Sequence, residues 1–236
     1  MLAVLAGAAG AGVAAHVAPA LAPVAPGLAK LLRVPLRVAH PRGVAITFDD
    51  GPHREGTPAA LDALARAGAR ATFFLVGEQV ERLPSLAAEI VAAGHEVALH
   101  GQRHRNQLRL TPAAIAEDLR RGAAAIEDAT GGCSALYRPP YGIFSAPGLA
   151  IVRRQGRTPL LWSKWGRDWT RRATPASIAA LALDDLGAGD VVLLHDADHY
   201  SAPDSWRRTV AALPRVLDEV AARGLVCVRA GDAVGG

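Results

Sequence analysis

The chain has 236 residues, of which half are apolar, and a formal net charge of +4. This length and apolar content predict one large domain with a sizeable core, because undivided α/β barrels often reach this size. The arginines are scattered along the chain without a zinc-finger, helix-turn-helix or RNA-binding signature, which argues against nucleic acid as a partner. The two cysteines, Cys133 and Cys227, could pair in an oxidising compartment, but we expect two unrelated buried thiols. The sequence does not indicate the oligomeric state.

Residues 1–29 form an Ala-rich segment without formal charge, and Lys30, Arg33 and Arg37 follow it. The segment is long enough to cross a bilayer and contains Ala-x-Ala-like sites. Prolines interrupt its second half, no basic residue precedes it, and the arginines on its C-terminal side favour the wrong orientation for an exported domain. We predict membrane association or export, hence a cell-envelope localisation, rather than a packed helix. Residues 1–40 are then the apolar segment and linker, and residues 41–236 form the domain.

Seven β-prone runs alternate with helical patterns along the domain. The runs are Val44–Phe48, Ala71–Val76, Glu96–Leu99, Ala135–Tyr137, Pro159–Trp162, Val191–Leu194 and Leu225–Val228. The predicted helices begin near Thr57 and then cover Leu83–Ala93, Thr111–Thr130, Ala146–Arg154, Pro175–Leu186 and Trp206–Arg223. This alternation predicts an α/β fold of parallel βαβ units, and seven such units indicate a closed or nearly closed barrel.

Polar residues follow most of the predicted strands. They are Asp49-Asp50, His100, Arg138, Asp168 and His195, after five of the seven strands. In barrels of parallel strands, chemistry gathers at the C-terminal ends of the strands. We therefore predict an active site at this rim.

His100 and His104 are four residues apart, a spacing that one helical turn would bring onto one face. With one carboxylate they would form a His2Asp set, which leaves open positions on a zinc-like ion. A lone histidine pair is a weak signal, but Asp49-Asp50 upstream strengthens it. Adjacent residues at a strand end point in opposite directions, so one aspartate can be a ligand and the other a base.

Arg138 opens a rigid Arg-Pro-Pro-Tyr-Gly loop directly after a strand. Its guanidinium can hold a carboxylate bidentately, with Asp49 as the expected partner, and the N–H of Tyr141 could face a developing oxyanion. The alternative is a surface arginine in an ordinary turn. His195 ends a buried strand, either as a satisfied core histidine or as the group that protonates a leaving amine.

These motifs together resemble one known family. Thr47–Pro52 (TFDDGP), His100-x-x-x-His104, Arg138–Gly142, Asp168-Trp169 and Leu193-Leu194-His195 occur in the order and rough spacing of the polysaccharide deacetylases, carbohydrate esterase family 4. The resemblance covers residues 43 to 230. It implies a distorted (β/α)7 barrel that removes acetyl groups from N-acetylglucosamine-type glycans such as chitin or peptidoglycan. It also implies a divalent metal, with zinc as the expected ion and cobalt or nickel as alternatives.

The resemblance also assigns roles to single residues. Asp49 corresponds to the base, Asp50, His100 and His104 to the metal ligands, and His195 to the acid. Arg138 corresponds to the residue that orients the base, and Tyr141 to the oxyanion donor. The sequence departs from the family in two places. Gly101 replaces a usual Ser or Thr, and Trp165 stands where an aspartate would orient His195, which leaves Asp168, Asp196 or Asp198 for that task.

Two rival functions follow from the same residues. One keeps the mechanism and changes the substrate, as in deformylation of a lipid-linked amino sugar or removal of an O-acetyl ester. The other, prompted by Trp165, is a glycan-binding relative without catalysis. Trp162, Trp165, Trp169 and Trp206 could offer faces to sugar rings or simply pack around the barrel mouth.

Overall fold

The computed structural model describes residues 12 and 14–234, and within them eight strands form one parallel sheet. The strands are β1 (Gly43–Asp49), β2 (Ala71–Leu75), β3 (Glu96–Leu99), β4 (Leu136–Tyr137), β5 (Thr158–Pro159), β6 (Lys164–Trp165), β7 (Val191–His195) and β8 (Val226–Cys227). Their order is β5-β4-β3-β2-β1-β7-β6, and β8 pairs additionally with β1. The expected distorted barrel of parallel strands is thereby confirmed, as a curled sheet with β5 and β6 at its two edges.

β1 lies in the middle of the sheet and is buried over its whole length. Parallel partners on both sides explain why its sequence is a continuous apolar run rather than an alternating one. The register places Asp49 beside Phe74 of β2 and His195 of β7. The C-terminal ends of the three central strands therefore lie at one level.

The predicted fifth strand, Pro159–Trp162, is wrong in its extent, and β6 was not predicted. The chain leaves the sheet after Pro159 and crosses the open side of the barrel. Along this crossing, the N–H of Leu160 bonds to the Tyr137 carbonyl of β4, and that of Ser163 bonds to the Val191 carbonyl of β7. Two-residue strands such as β5 and β6 carry too few positions for an alternating pattern to identify them.

The helices cover the outside of the sheet. They are α1 (Pro26–Leu31), α2 (Gly56–Arg66), α3 (Gly77–Arg82), α4 (Pro84–Ala92), α5 (Pro112–Thr130), α6 (Ala146–Arg154), α7 (Pro175–Leu183) and α8 (Ser205–Ala222). Three short 3-10 helices are Ala18–Leu21, Gln107–Arg109 and Pro140–Gly142. The hydroxyl of Thr111 caps α5 as expected, and Gly131 ends that helix with a φ of 76°. Thr57, near which this helix was expected to begin, lies inside α2.

The two cysteines are free and half-buried, as expected for unrelated thiols. Cys133 follows α5, and Cys227 lies in β8. Burial raises the pKa of both thiols, that of Cys227 to about 11.

The segment that precedes β1 packs onto the barrel. Ala22, Ala29 and Val34 are buried in the core cluster, and the Pro35 carbonyl accepts a hydrogen bond from the N–H of Leu161. Residues 1–11 and 13 of the predicted membrane or export segment lie outside the described residues. Within residues 12 and 14–234, none of the helices combines the length and hydropathy that crossing a bilayer requires. The boundary near residue 40 and the membrane association stay predictions.

The packing of this segment leads to a stability prediction. A chain that begins at residue 37 lacks Ala22, Ala29 and Val34, whose burial contributes about 2–4 kcal/mol in total. We expect this chain to melt several degrees below one that begins at residue 14, as measured by calorimetry. Equal melting temperatures would show that the segment does not stabilise the barrel.

Candidate active site

The two aspartates at the end of β1 are both buried but face different partners. Asp49 ends the strand, whereas Asp50 has a φ of 78°, a left-handed conformation that aspartate tolerates better than most residues. Arg138 donates to Asp49 Oδ1 at 2.7 Å. Asp50 Oδ1 lies 3.4 Å from His100 Nε2 and 3.3 Å from His104 Nε2. The change in backbone conformation thus separates the two carboxylates.

Asp50, His100 and His104 form a group that fits a metal ion. One donor atom from each lies within 4.8 Å of the other two. The Nδ1 of His100 is 2.8 Å from the Arg138 carbonyl, so it donates there and leaves the Nε2 lone pair towards Asp50. Asp50 Oδ1 is buried without a hydrogen-bond partner among the described residues, which is costly unless a cation completes the site. Two imidazoles and one carboxylate suit zinc and other divalent first-row metals.

The electrostatics of the group favour the protonation states that coordination needs. Burial raises the pKa of Asp50, but the neighbouring imidazoles of His100, His195 and His104 outweigh burial and lower the pKa to about 2. Burial lowers the pKa of His104 to about 4, although Asp50 acts in the opposite direction. Near neutral pH, Asp50 is therefore anionic and His104 neutral.

The loop conformation at Gly101 favours glycine over a residue with a side chain. Gly101 has a φ of 90°, and a Cβ at this position would come within 2.8 Å of Asp118 Oδ2. That same oxygen accepts a hydrogen bond from the N–H of Gln102 at 2.9 Å. Asp118, reaching over from α5, therefore steadies the loop between His100 and His104.

His104 lies between two tyrosine rings. The ring of Tyr200 stacks on it at 4.2 Å and 7°, and the ring of Tyr141 meets it edge-on at 4.4 Å. The Tyr200 hydroxyl donates to Glu78 at 2.7 Å and accepts from Gln79 at 2.9 Å. The Nδ1 of His104 has no hydrogen-bond partner among the described residues, so ring packing is what orients this imidazole. Tyr200 was not predicted, because it lies in the irregular loop after β7.

Arg138 is fully buried and reaches across the barrel to β1. Its guanidinium donates to Thr47 Oγ1 and Asp49 Oδ1, and to the carbonyls of Leu160 and Leu161, at 2.7–3.2 Å. It also lies 4.0 Å from the centre of the Phe74 ring. The alternative of a surface arginine is therefore wrong, and the expected contact with Asp49 is present, through one hydrogen bond rather than a bidentate pair.

Tyr141 lies in the 3-10 turn that follows Arg138. Its φ is 62°, a left-handed conformation that costs on the order of 1 kcal/mol in a non-glycine residue and that is common at functional sites. Its side chain is exposed and lines the mouth of the pocket. The contribution of its backbone N–H to catalysis stays a prediction.

His195, at the end of β7, contacts Asp168 rather than the other two candidate aspartates. Its Nδ1 lies 2.9 Å from Asp168 Oδ1, and its backbone N–H donates to Asp168 Oδ2 at 2.7 Å. Thr209 donates to that second oxygen. Asp196 accepts instead from Thr57, and Asp198 lies 3.4 Å from His53.

The partner of His195 controls its protonation. Burial lowers the pKa of His195, but Asp168 and, more weakly, Asp50 and Asp49 raise it, with a net result of about 10. The imidazole can therefore carry a proton at neutral pH. Its Nε2 is 4.0 Å from Asp50 Oδ2, in the same cavity as the metal-ligand group.

A pocket of about 330 Å³ joins these groups at the rim of the barrel. Its lining includes six of the predicted site residues, namely Asp49, Asp50, His100, His104, Tyr141 and His195, while Arg138 and Asp168 lie buried behind Asp49 and His195. Trp162, Trp165 and Trp169 form one wall, with successive ring centres 5.9 and 5.7 Å apart. Trp206 packs on His53 instead. The eight predicted site residues are thus in one place.

The chain is similar to known proteins over most of its length. The family profile described as Polysaccharide deacetylase matches residues 37–160. A chitooligosaccharide deacetylase from Bradyrhizobium sp. (strain ANU 289) is 34% identical over 194 residues, across 79% of this chain and 88% of the relative. A peptidoglycan-N-acetylglucosamine deacetylase from Bacillus cereus is 33% identical over 183 residues, across 77% and 83%.

Solved structures show the same architecture. A family 4 carbohydrate esterase from Streptomyces lividans, in complex with acetate, has a TM-score of 0.71 at 34% identity over 79% of this chain and 91% of that chain. A family 4 acetyl xylan esterase from Clostridium thermocellum, in complex with a cobalt ion, has a TM-score of 0.71 at 26% identity, over 80% and 88%. A CE4 family pseudoenzyme from Bacillus anthracis reaches 0.76 at 25% identity, over 86% and 69%. Architecture alone therefore does not decide turnover.

The stacking of Tyr200 on His104 leads to a metal-affinity prediction. We expect Tyr200→Ala to weaken metal binding about tenfold, because groups that orient a ligand usually contribute 10- to 100-fold. Tyr200→Phe keeps the ring and should lose less. Titration of metal-free protein with zinc against a competing chelator measures both, with His104→Ala as the control that removes the ligand itself. Wild-type affinity in Tyr200→Ala would show that the stacked ring does not orient His104.

Proposed function

The chain belongs to the polysaccharide deacetylase family, and we propose that it removes N-acetyl groups from a glycan that contains N-acetylglucosamine, of the peptidoglycan or chitin type. One observation carries the proposal. A group that fits a metal, Asp50 with His100 and His104, shares one pocket with a carboxylate held by Arg138 and an imidazole held by Asp168. Hydrolysis of an unactivated amide needs a base, an acid and charge stabilisation, and these residues can supply all three.

The base in this proposal is Asp49. Arg138 fixes its Oδ1, and its Oδ2 lies 3.8 Å from His100 Nε2, beside the metal-ligand group. A carboxylate in this position can take a proton from the attacking water. Arg138 does not line the pocket. It acts through Asp49, so it is a positioning residue.

The metal and a backbone N–H would stabilise the oxyanion that forms when water attacks the acyl carbonyl. A divalent ion held by Asp50, His100 and His104 would polarise the acyl carbonyl and lower the pKa of a water molecule. The N–H of Tyr141, in the strained turn at the pocket mouth, is the proposed backbone donor to the oxyanion. Zinc is the proposed ion because the His2Asp set suits it, and cobalt remains compatible with the same ligands.

The acid in this proposal is His195. Its Nδ1 is held by Asp168, so Nε2 is the atom that can give a proton to the departing amino nitrogen of the sugar. The raised pKa of His195 keeps that proton in place at neutral pH. Asp168 is then the positioning residue, and Trp165 leaves this arrangement intact because it lies in the pocket wall instead.

The substrate class rests on the relatives. Two of them are named for chitooligosaccharide and for peptidoglycan N-acetylglucosamine, which share the N-acetylated amino sugar. Such a glycan would fit the envelope localisation predicted from residues 1–29, which also remains a proposal. Because one similar protein is an acetyl xylan esterase, hydrolysis of O-acetyl esters remains an alternative function. Because another is a pseudoenzyme, glycan binding without turnover remains a second alternative.

Acetate release tests the proposal. Metal-loaded protein is incubated with N-acetylated, N-formylated and O-acetylated oligosaccharides, with and without chelator. We expect acetate from the N-acetylated glycan, loss of release with chelator, and recovery on addition of metal. Release only from the formylated or O-acetylated sugar would move the chain to the corresponding rival function, and binding without release would make it a non-catalytic relative.

The two aspartates at the end of β1 should respond differently to substitution. Asp49→Asn removes the base and should lower kcat by about 10²- to 10⁴-fold while metal binding persists. Asp50→Asn removes an anionic ligand and should lower metal affinity itself. Metal content and turnover are measured for both proteins. Equal metal loss in the two variants would contradict the assignment of separate roles.

The pair of His195 and Asp168 leads to a pH prediction. Because Asp168 raises the pKa of His195, Asp168→Asn lowers that pKa, and the acid loses its proton at a lower pH. We therefore expect the alkaline limb of the kcat/KM profile to move to lower pH. His195→Ala should impair an amide more than an activated ester, whose leaving group departs without a proton. Equal impairment of both substrates would argue against a general acid, and an unchanged profile in Asp168→Asn against Asp168 as its partner.

A further inference from the structure

A second groove lies beside the catalytic pocket. It has a volume of about 460 Å³, and its lining is His104, Arg105, Asn106, Arg109, Leu110, Tyr141 and Ile143. His104 and Tyr141 also line the catalytic pocket, so the two spaces share a wall. The described lining contains two arginines and no carboxylate. A substituent on a glycan that passes the reacting centre towards this side would therefore meet positive charge.

The arginines of the groove are available to a ligand. Arg105 donates through one nitrogen to Asp118 at 2.6 Å, which holds its guanidinium in place while other N–H groups remain. Arg109 is exposed and forms no ion pair with the described residues. Asn106 uses its side-chain oxygen to accept from Leu108, which leaves its NH2 group as a donor. The polar groups here are mostly donors, as an anion requires.

A third arginine, Arg167, stacks on the tryptophan wall of the pocket. The guanidinium carbon of Arg167 is 4.7 Å from the ring centre of Trp165, which lines the catalytic pocket. Stacking on a ring holds a guanidinium in place but leaves its N–H edge free. His104 and the groove follow β3, whereas Arg167 follows β6, and β1 lies between these strands in the sheet. The groove arginines therefore adjoin the His104 side of the pocket, and Arg167 adjoins its tryptophan wall.

We propose that the glycan this protein accepts carries carboxylate groups on the sugars that flank the reacting N-acetylated residue, as in an acid-substituted strand of the peptidoglycan type rather than neutral chitin. The inference rests on the proposed function and names its substrate class. A neutral chain would gain little from these arginines, whereas a carboxylate gains charge-assisted hydrogen bonds. The centre itself holds Asp49 and Asp50, so an anionic group is favoured beside it and not in it.

Steady-state kinetics on two matched substrates test this. Both are N-acetylglucosamine-containing oligosaccharides of one length, one neutral and one with a lactyl ether carboxylate on alternate sugars. The metal-loaded full chain is compared with Arg109→Gln and Arg167→Gln. The control is Arg66→Gln, at the end of α2 on the opposite rim of the barrel, which removes one positive charge away from the pocket. Arg105 is left unchanged because its partner Asp118 also holds the loop of the metal ligands.

We expect the wild-type KM to be lower for the acidic substrate and to rise with salt for that substrate alone. Arg109→Gln and Arg167→Gln should each raise that KM by about three- to tenfold, with kcat and the KM for the neutral substrate unchanged. Equal KM values for the two substrates, or an equal effect of Arg66→Gln, would overturn the inference. If neither substrate is turned over, the proposed function is contradicted instead. The Kd values of the two oligosaccharides, measured by calorimetry for the same variants, would then show whether the protein prefers the acidic one.

Discussion

The buried guanidinium of Arg138 is the contact on which the rest of the site depends. Placing a cation inside a barrel is costly unless its donors are satisfied, and four contacts from Arg138 meet that condition. Two of these go to β1 and two to the carbonyls of Leu160 and Leu161, on the stretch that crosses the open side of the sheet. The same side chain therefore links the open side of the barrel to the strand that bears Asp49, the proposed base. The Arg138 carbonyl also fixes His100, so one residue orients both the proposed base and a candidate metal ligand.

The second constraint is that buried hydrogen-bond partners hold neighbouring side chains of the site in different positions. Asp49 and Asp50 are adjacent, yet the left-handed backbone at Asp50 directs one carboxylate to an arginine and the other to two imidazoles. Asp168 is fully buried and holds both the backbone and the ring of His195. A hydrolytic site needs its groups held in fixed positions before the substrate arrives, and buried partners provide this.

The sequence predicted the location of the candidate site residues well, because strand ends in a parallel sheet share one rim, so each motif could be placed without knowing the loops. It did not decide between Asp168, Asp196 and Asp198, since only the folded position of the loop after β6, held by Thr209 of α8, shows which carboxylate reaches His195. It also missed Tyr200 and Asp118, which approach the metal ligands from distant parts of the chain. The two-residue strands β5 and β6 are held by pairing with longer neighbours, and no local pattern encodes that. The burial of Ala22 and Ala29 was likewise hidden, because an uncharged, alanine-rich segment suits a membrane and a protein core equally well.

Anomalous diffraction from crystals grown with zinc tests whether Asp49 and Asp50 have separate roles. We expect one anomalous peak at about 2.0–2.2 Å from the Asp50 carboxylate, His100 Nε2 and His104 Nε2. Asp49 should remain on Arg138 and outside the coordination sphere. A peak that includes Asp49 as a ligand, or one that lies away from these two histidines, would contradict the separate roles of the two aspartates.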